Sequence, residues 1–423
     1  MIEIQPVAKV DAAIEVPGSK SLTQRALIAA ALAKGESRLI GPLESDDTAY
    51  SAKALTQMGV SVEKEKDWRI IGNGGQIKAS DTPIYLGNNG TATRFLTSVA
   101  ALGQSTFTID GDTRMHQRPI GPLIAALQGW GVDIVSTRGT GCPPLRINAR
   151  GLAGGTTVLP EGKSSQYLSS LLLVAPYAER PATLKVEGEV LSKPYVAMTL
   201  AVMSEFGVEV SAARDFSSFT IPQGCYQARD YRIEGDASNA SYFWAAAAVT
   251  GGRVTVTNVP VPSLQGDALL VPLLGRMGCE VSKTGHAITL RGPEKLAGIT
   301  VNMGDMPDVV PTLAVVAAFA EGTTVIENIA HLRIKECDRL SAVVTELTKL
   351  GVEVEEREAA MIIHGRGGEG LHGAEIETYE DHRMAMSLAV AGLKIPGVKI
   401  TGEMCVGKSF PDFWQRFARL TGR

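Results

Sequence analysis

A glycine recurs at the end of a helix-like run and just before a short alternating strand: ALTQMGVSVEK, AALQGWGVDIVS, AVMSEFGVEVS, LLGRMGCEVSK and ELTKLGVEVEE. These marker glycines are Gly59, Gly131, Gly207, Gly278 and Gly351, spaced 72, 76, 71 and 73 residues apart. A further 71 residues reach Gly422, behind the helix-like FPDFWQRFARLT. Glycine directly after a helix takes the left-handed cap conformation, and the V-x-V that follows alternates as a half-buried strand. Repetition near 72 residues is too long for ordinary solenoid units. It fits a βαβαββ-sized module used six times, three per globule. The sixth unit runs out of chain before its strand, and the N-terminal IEIQPV is placed to supply the missing piece.

A second series has the same period. KSLTQRALIAAALA, NGTATRFLTSVAALG, SSQYLSSLLLVAPYA, ASNASYFWAAAAVTG, PDVVPTLAVVAAFAEG and DHRMAMSLAVAGL are apolar nearly all round, so they predict buried helices. Their starts are marked by Lys20, Gly90, Ser165, Ser238, Asp308 and His382, and polar residues crowd each first turn. A helix N-terminus carries about half a positive charge and free N–H groups, which together bind anions. Three parallel helices per globule would aim their positive ends at one spot, and two such globules facing each other would make an anion-preferring cleft. Ordinary N-capping explains Ser21, Asn88, Ser164 and Ser238. It does not explain Lys20, Arg25, Arg94, His382 and Arg383, cations that the dipole disfavours there by ~0.3–1 kcal/mol each.

At 423 residues the chain has room for two or three domains, and 44% hydrophobic residues can bury a large core. A net charge of -4 supplies no global basic field for nucleic acid or membrane, so any anion must be held by a local group of cations. No window approaches the ~20 apolar residues of a membrane span. The opening MIEIQPVAKVDAAIEV reads as a strand of the mature protein and not a targeting peptide. Cys142, Cys225, Cys279, Cys337 and Cys405 form no CxxC pair, which points to reduced thiols in a cytoplasm. His116, His286, His331, His364 and His372 lack metal-ligand spacing, so no metal is expected.

Chemistry-bearing motifs sit at the helix starts and between them. PGSKSLTQRAL carries Lys20, Ser21 and Arg25, the last two one turn apart on one face. LGNNGTATRF carries Asn88 and Gly90, where the missing side chain lets a ligand approach backbone N–H groups. RPIGPL carries Arg118, GKSSQYL carries Ser164, Ser165 and Gln166, and LSKPYV carries Ser192 and Tyr195. EGDASNASYF holds Asp236 and Ser238, and MPDVVPT holds Asp308. RIKECDRL holds Lys335, Glu336 and Arg339; YEDHRMAM holds Asp381, His382 and Arg383; GKSFPDFW holds Lys408. Each alone reads as solvated surface charge. Together, in this order and at these spacings, PGSKS, GNxGTAxR, RPIG, SSQ, SKPY, EGDASxASYF, KExDR, DHRMAM and KSFPDF resemble the shikimate-pathway enolpyruvyl transferase family along the whole chain.

The resemblance implies an α/β fold of two similar globules, each an inside-out α/β barrel of three βαβαββ repeats, joined by two hinge crossovers. One globule would comprise residues 17–232 and the other the discontinuous pieces 1–16 and 233–423, with the active site in the interdomain cleft. It implies transfer of the enolpyruvyl group of phosphoenolpyruvate to the 5-hydroxyl of shikimate 3-phosphate, with no cofactor, in a cytoplasmic monomer that glyphosate inhibits. Lys20, Ser21, Arg25, Ser164, Ser165, Gln166, Ser192, Tyr195, Asp308 and Lys335 match positions that hold shikimate 3-phosphate. Lys20, Gly90, Arg118, Gln166, Arg339, Arg383 and Lys408 match positions that hold phosphoenolpyruvate. Asp308, Glu336 and Lys20 are the expected proton-transfer groups, and His382, Asn88 and His331 are further candidates at the site. Asn89, Thr93 and Phe95 depart from the common GNAGTAMRP form, His331 stands where Asn is frequent, and Cys337 replaces a common Thr. A low thiol pKa is open to Cys337 at a helix start. The alternative is the sister transferase acting on UDP-N-acetylglucosamine. That family reads GAKN where this chain has GSKS and carries a catalytic cysteine in the loop that here reads GDTRMHQRPIG. A non-catalytic anion-binding scaffold would explain the helix starts but not the pair Asp308 and Glu336.

Overall fold

A computed structural model describes residues 1–421; Gly422, the expected sixth marker, lies outside the described residues. The chain forms two compact units: Gly18–Ile233, and Met1–Pro17 together with Glu234–Arg423. We call them the inner and the outer unit, after their places along the chain. The crossings fall one residue later than the sequence reading set them.

All five described marker glycines have positive φ, from 83° at Gly131 to 107° at Gly278, as a left-handed helix cap requires. After each of them the chain alternates: the first residue is buried, the second exposed and the third half-buried or buried.

Among the described residues there are six sheets, and one pairing scheme runs through them. In the inner unit, 230–232 runs parallel to Lys34–Ile40, which is antiparallel to Trp68–Asn73, itself antiparallel to Ser61–Lys64. The strands 84–85, 106–110, 145–148 and 133–136 repeat this order, as do 155–159, 182–186, 218–221 and 211–212. In the outer unit the order recurs in 11–14, 253–256, 287–291 and 280–284, and again in 300–302, 320–327, 361–366 and 353–356. The last sheet pairs 375–376 with 399–400 in parallel and borrows Ile2–Glu3 as its antiparallel strand, Ile2 opposite Ile400. The N-terminal strand thus takes the antiparallel place in the sixth sheet.

The six apolar runs form buried helices: Lys20–Leu32, Gly90–Ala101, Ser165–Val174, Ala237–Thr250, Val310–Ala318 and His382–Gly392. Every residue of Ala237–Thr250 is buried. Two starts differ from expectation: the fourth helix begins at Ala237, one residue before Ser238. Asp308 lies in a 3-10 turn, Pro307–Val309, that precedes the α-helix.

Hydroxyl seams fix how these helices stand. In the outer unit Ser241 meets Thr312 at 3.0 Å and Thr312 meets Ser387 at 3.1 Å. All three lie about one turn inside their helices, so the three N-termini emerge together. Their far ends, at Thr250, Phe319 and Lys394, line one cavity of about 500 Å³, so the helices run parallel. In the inner unit Ser170 donates to Arg94 O at 2.6 Å, and Arg25 donates to Ser169 at 3.2 Å. These contacts also join residues about one turn inside their helices. Each unit buries its own apolar core around its three helices.

Candidate active site

The polar first turns form one cluster in each unit. In the inner unit, Ser19 and not Ser21 caps the first helix by accepting from Leu22 N–H. That frees the half-buried Ser21 hydroxyl from a capping role. Lys20 Nζ lies 3.1 Å from the buried Asp47 carboxylate. Asn89, rather than Asn88, caps the Gly90 helix, and its amide also donates to Asp47 O at 2.6 Å. Asn88 serves Arg118 instead, accepting at its side-chain oxygen at 2.9 Å and at its carbonyl at 3.2 Å. A Cβ on Gly90 would collide with Arg118 Nη2, so the bare glycine makes room for this guanidinium.

Arg94 is held by Gly90 O and Pro119 O. Arg25 is buried, and its N–H groups go to Thr199 Oγ1 at 2.7 Å, Ser169 Oγ, Ser21 O and Tyr195 O. Burial pushes its pKa down to about 10. Of the departures from the common family form, Phe95 lies under this group, 5.4 Å from centroid to guanidinium carbon, and Thr93 is wholly buried. Ser164 is the N-cap residue of its helix, without a side-chain cap bond, and Ser165 and Gln166 follow in the first turn. Gln166 donates to Thr91 Oγ1 at 3.2 Å, which ties this turn to the Gly90 helix. Ser192 holds a left-handed conformation, φ 55°, at the cap of the helix that carries Tyr195.

The outer unit holds an ion network centred on Arg339, whose side chain is 1% exposed. Arg339 reaches Asp381 at 2.6 Å, Glu336 at 2.7 Å and Asp308 at 2.9 Å. Arg383 binds the other Asp308 oxygen at 2.6 Å, and Lys408 lies 3.4 Å from Glu336. His382 is fully buried at the first position of its helix, 3.6 Å from Asp381. Asp236 caps the Ala237 helix through Asn239 N–H, so Ser238 is not the cap; it donates to the buried Asp267.

Charge sets the protonation states. Burial pushes the Asp308 carboxyl up, but Arg383, Arg339 and Lys335 outweigh it and hold it well below the usual carboxylate range. Burial alone would lower Arg339; Asp381, Glu336 and Asp308 keep it firmly cationic. Burial, with the Asp308 charge second, pushes Asp267 up to about 6. His331 is buried, and neither ring nitrogen has a hydrogen-bond partner among the described residues. Burial first and Lys335 second push its pKa down to about 3, so the ring is neutral at ordinary pH. Cys337 is not an activated thiol: burial and the nearby Asp381 carboxylate push its pKa up. Among the described residues no group of three or more His, Cys, Asp or Glu side chains could hold a metal ion.

The expected residues therefore divide. Lys20, Ser21, Arg25, Asn88, Gly90, Arg118, Ser164, Ser165, Gln166, Ser192 and Tyr195 belong to the inner unit; Asp308, His331, Lys335, Glu336, Arg339, His382, Arg383 and Lys408 belong to the outer. Asp47 was missed. It hides as an ordinary acid in the first turn of the helix Asp46–Gln57, behind the Ser45 cap. The repeat gives a partial signal: counting twelve residues back from the five markers lands on Asp47, Pro119, Tyr195, Gly266 and Arg339, three of which carry polar side chains.

The family model for EPSP synthase (3-phosphoshikimate 1-carboxyvinyltransferase) matches residues 4–417. A 3-phosphoshikimate 1-carboxyvinyltransferase from Trichormus variabilis is 46% identical over 418 residues, covering 98% of this chain and 97% of that protein. The structure of EPSP synthase from Acinetobacter baumannii superposes with a TM-score of 0.83 at 29% identity, covering 99% of this chain and 97% of that one. The enolpyruvyl transferase NikO from Streptomyces tendae matches with a TM-score of 0.80 at 17% identity, over 99% and 97% of the two chains, a likeness of fold alone.

Proposed function

This chain belongs to the EPSP synthase family, and on that footing we propose that it transfers the enolpyruvyl group of phosphoenolpyruvate to the 5-hydroxyl of shikimate 3-phosphate, releasing phosphate. Each unit is an inside-out α/β barrel of three βαβαββ repeats. The pairing scheme common to the six sheets supports this reading.

The inner cluster binds. Its hydroxyls and amides at Ser21, Ser164, Ser165, Gln166, Ser192 and Tyr195 suit the hydroxylated ring and the 3-phosphate, while Arg25, buried beneath, orients Ser21 and Tyr195 through their carbonyls. Arg118, beside Gly90, offers a planar fork to a carboxylate or phosphate of the donor. Lys20, steadied by Asp47, balances charge where the hydroxyl proton leaves.

The outer cluster carries the protons. The reaction adds the 5-hydroxyl oxygen to C2 while C3 gains a proton; the tetrahedral intermediate then loses phosphate and that proton. Asp308, held ionised by its cations, accepts from the 5-hydroxyl. Glu336 serves C3. In this structure it is paired to Arg339 and Lys408. The donor's two oxyanions draw those same cations, and a carboxylate relieved of its cations gains proton affinity. Donor binding thereby readies Glu336 to give a proton to C3 and later to take one back. Lys335 and the neutral His331 flank Asp308 on the shikimate side. Free thiols and self-contained cores accord with a cytoplasmic monomer.

The observation that carries the reading is one guanidinium, Arg339, gathering three carboxylates at converging helix starts. The sister reaction on UDP-N-acetylglucosamine is not favoured, since the loop from Gly111 to Gly121 has no cysteine. The test is substrate dependence. Phosphate release from phosphoenolpyruvate should require shikimate 3-phosphate, and release with UDP-N-acetylglucosamine in its place would reverse the assignment.

A further inference from the structure

Glu346 stands where the repeat is otherwise apolar. Five residues before each of the other marker glycines the chain has Ala54, Ala126, Val202 and Leu273, all buried. At Glu346 the same position is a carboxylate with no exposed surface. It lies seven residues on from Arg339 in the helix Arg339–Lys349, so both side chains leave the same face two turns apart.

Both hold one segment of chain. Glu346 accepts from the Tyr379 hydroxyl at 2.8 Å and from Glu377 N–H at 3.1 Å, and Lys349 balances its charge at 2.8 Å. Arg339 holds Asp381 at 2.6 Å. Between these two grips lie Tyr379 and Glu380, with φ of 53° and 55°. Non-glycine residues keep such left-handed conformations only where their surroundings enforce them. Asp381 N–H closes the turn on Thr378 O at 2.8 Å, and the Asp381 carboxylate then caps Arg383 N–H at 2.9 Å. Lys349 alone could pair with Glu346 at the surface; burial of the acid is explained by what it grips on the other strand of chain.

We infer that Glu346 is a positioning residue for the transfer reaction: with Tyr379 it locks the strained turn 378–381 and so sets Asp381 and Arg383 against Arg339 and Asp308. This rests on the reaction assigned above. The test compares steady-state phosphate release, with each substrate varied, in the parent, Glu346→Gln, Tyr379→Phe and the double variant Glu346→Gln/Glu380→Gly. Backbone amide exchange at Arg383 is measured alongside.

Glu346→Gln should lower kcat about tenfold and raise the KM for phosphoenolpyruvate, the ligand assigned to Arg339 and Arg383, while the KM for shikimate 3-phosphate stays within about twofold. Tyr379→Phe should act in the same direction by about threefold. Glycine at 380 takes the left-handed conformation without strain and should restore most of the loss. Arg383 N–H should exchange about tenfold faster in Glu346→Gln. Unchanged kinetics in Glu346→Gln, or an equal rise in both KM values without rescue by glycine, overturns the inference. A parent that releases no phosphate from this substrate pair overturns the reaction instead, and unchanged Arg383 exchange in both single variants then rejects the clasp by itself.

Discussion

The two clusters rest on the same scaffold, three parallel or side-by-side helix starts, yet they are charged differently. The inner one sets Lys20 against Asp47, while Arg25, Arg94 and Arg118 donate to hydroxyl, carbonyl and amide oxygens. The outer one interlocks Arg339, Arg383 and Lys408 with Asp308, Glu336 and Asp381. Guanidinium groups held by neutral oxygens suit holding anions. A balanced network, in which a cation drawn away by ligand leaves a carboxylate behind, suits moving protons.

The largest contrast should appear in catalysis. Glu336→Gln keeps the shape of the side chain but cannot cycle a proton, and kcat should fall about a thousandfold. A rate near that of the parent would remove Glu336 from proton transfer. Stability should separate the clusters next. Arg339 and Arg25 are almost equally buried, at 1% and 2% exposed, but only Arg339 faces carboxylates. Arg339→Met should cost about 3–5 kcal/mol in urea unfolding by stranding buried charges, and Arg25→Met about 1–3 kcal/mol by stranding neutral acceptors. Equal losses would erase the distinction.

Gly90→Ala probes the inner cluster alone. The new methyl would collide with Arg118, so the KM for phosphoenolpyruvate should rise about tenfold with that for shikimate 3-phosphate unchanged. The smallest effect is in pH. The His331 pKa falls from 6.5 unfolded to about 3 folded, so below 6.5 the unfolded chain binds the extra proton. Stability should therefore be full above pH 6.5 and fall as pH drops towards 3, by about 1–2 kcal/mol between 6.5 and 5. His331→Gln should flatten that slope, as followed by denaturant titration at several pH values.

Much of this was legible in the residues because periodicity survives in them. The marker glycines had to be glycine to turn left-handed, and the six apolar runs had to be buried wherever they lay. Capping was misread by one or two places at Ser21, Asn88 and Ser238, because which hydroxyl or amide reaches the first free N–H depends on the backbone angles of the turn. Asp47 and Glu346 were illegible singly, as an acid near a cap and an acid in an amphipathic helix. Each stands out only when the repeats are laid over one another or the partner from elsewhere in the chain is known.

The most direct measurement is calorimetric titration of shikimate 3-phosphate into Glu336→Gln and into Gln166→Ala, paired with turnover of each. If the inner cluster binds and the outer one moves protons, Glu336→Gln should bind as the parent does and barely turn over, whereas Gln166→Ala should bind weakly and approach parental turnover at saturation. Loss of binding in Glu336→Gln, with Gln166→Ala binding unimpaired, would contradict the division.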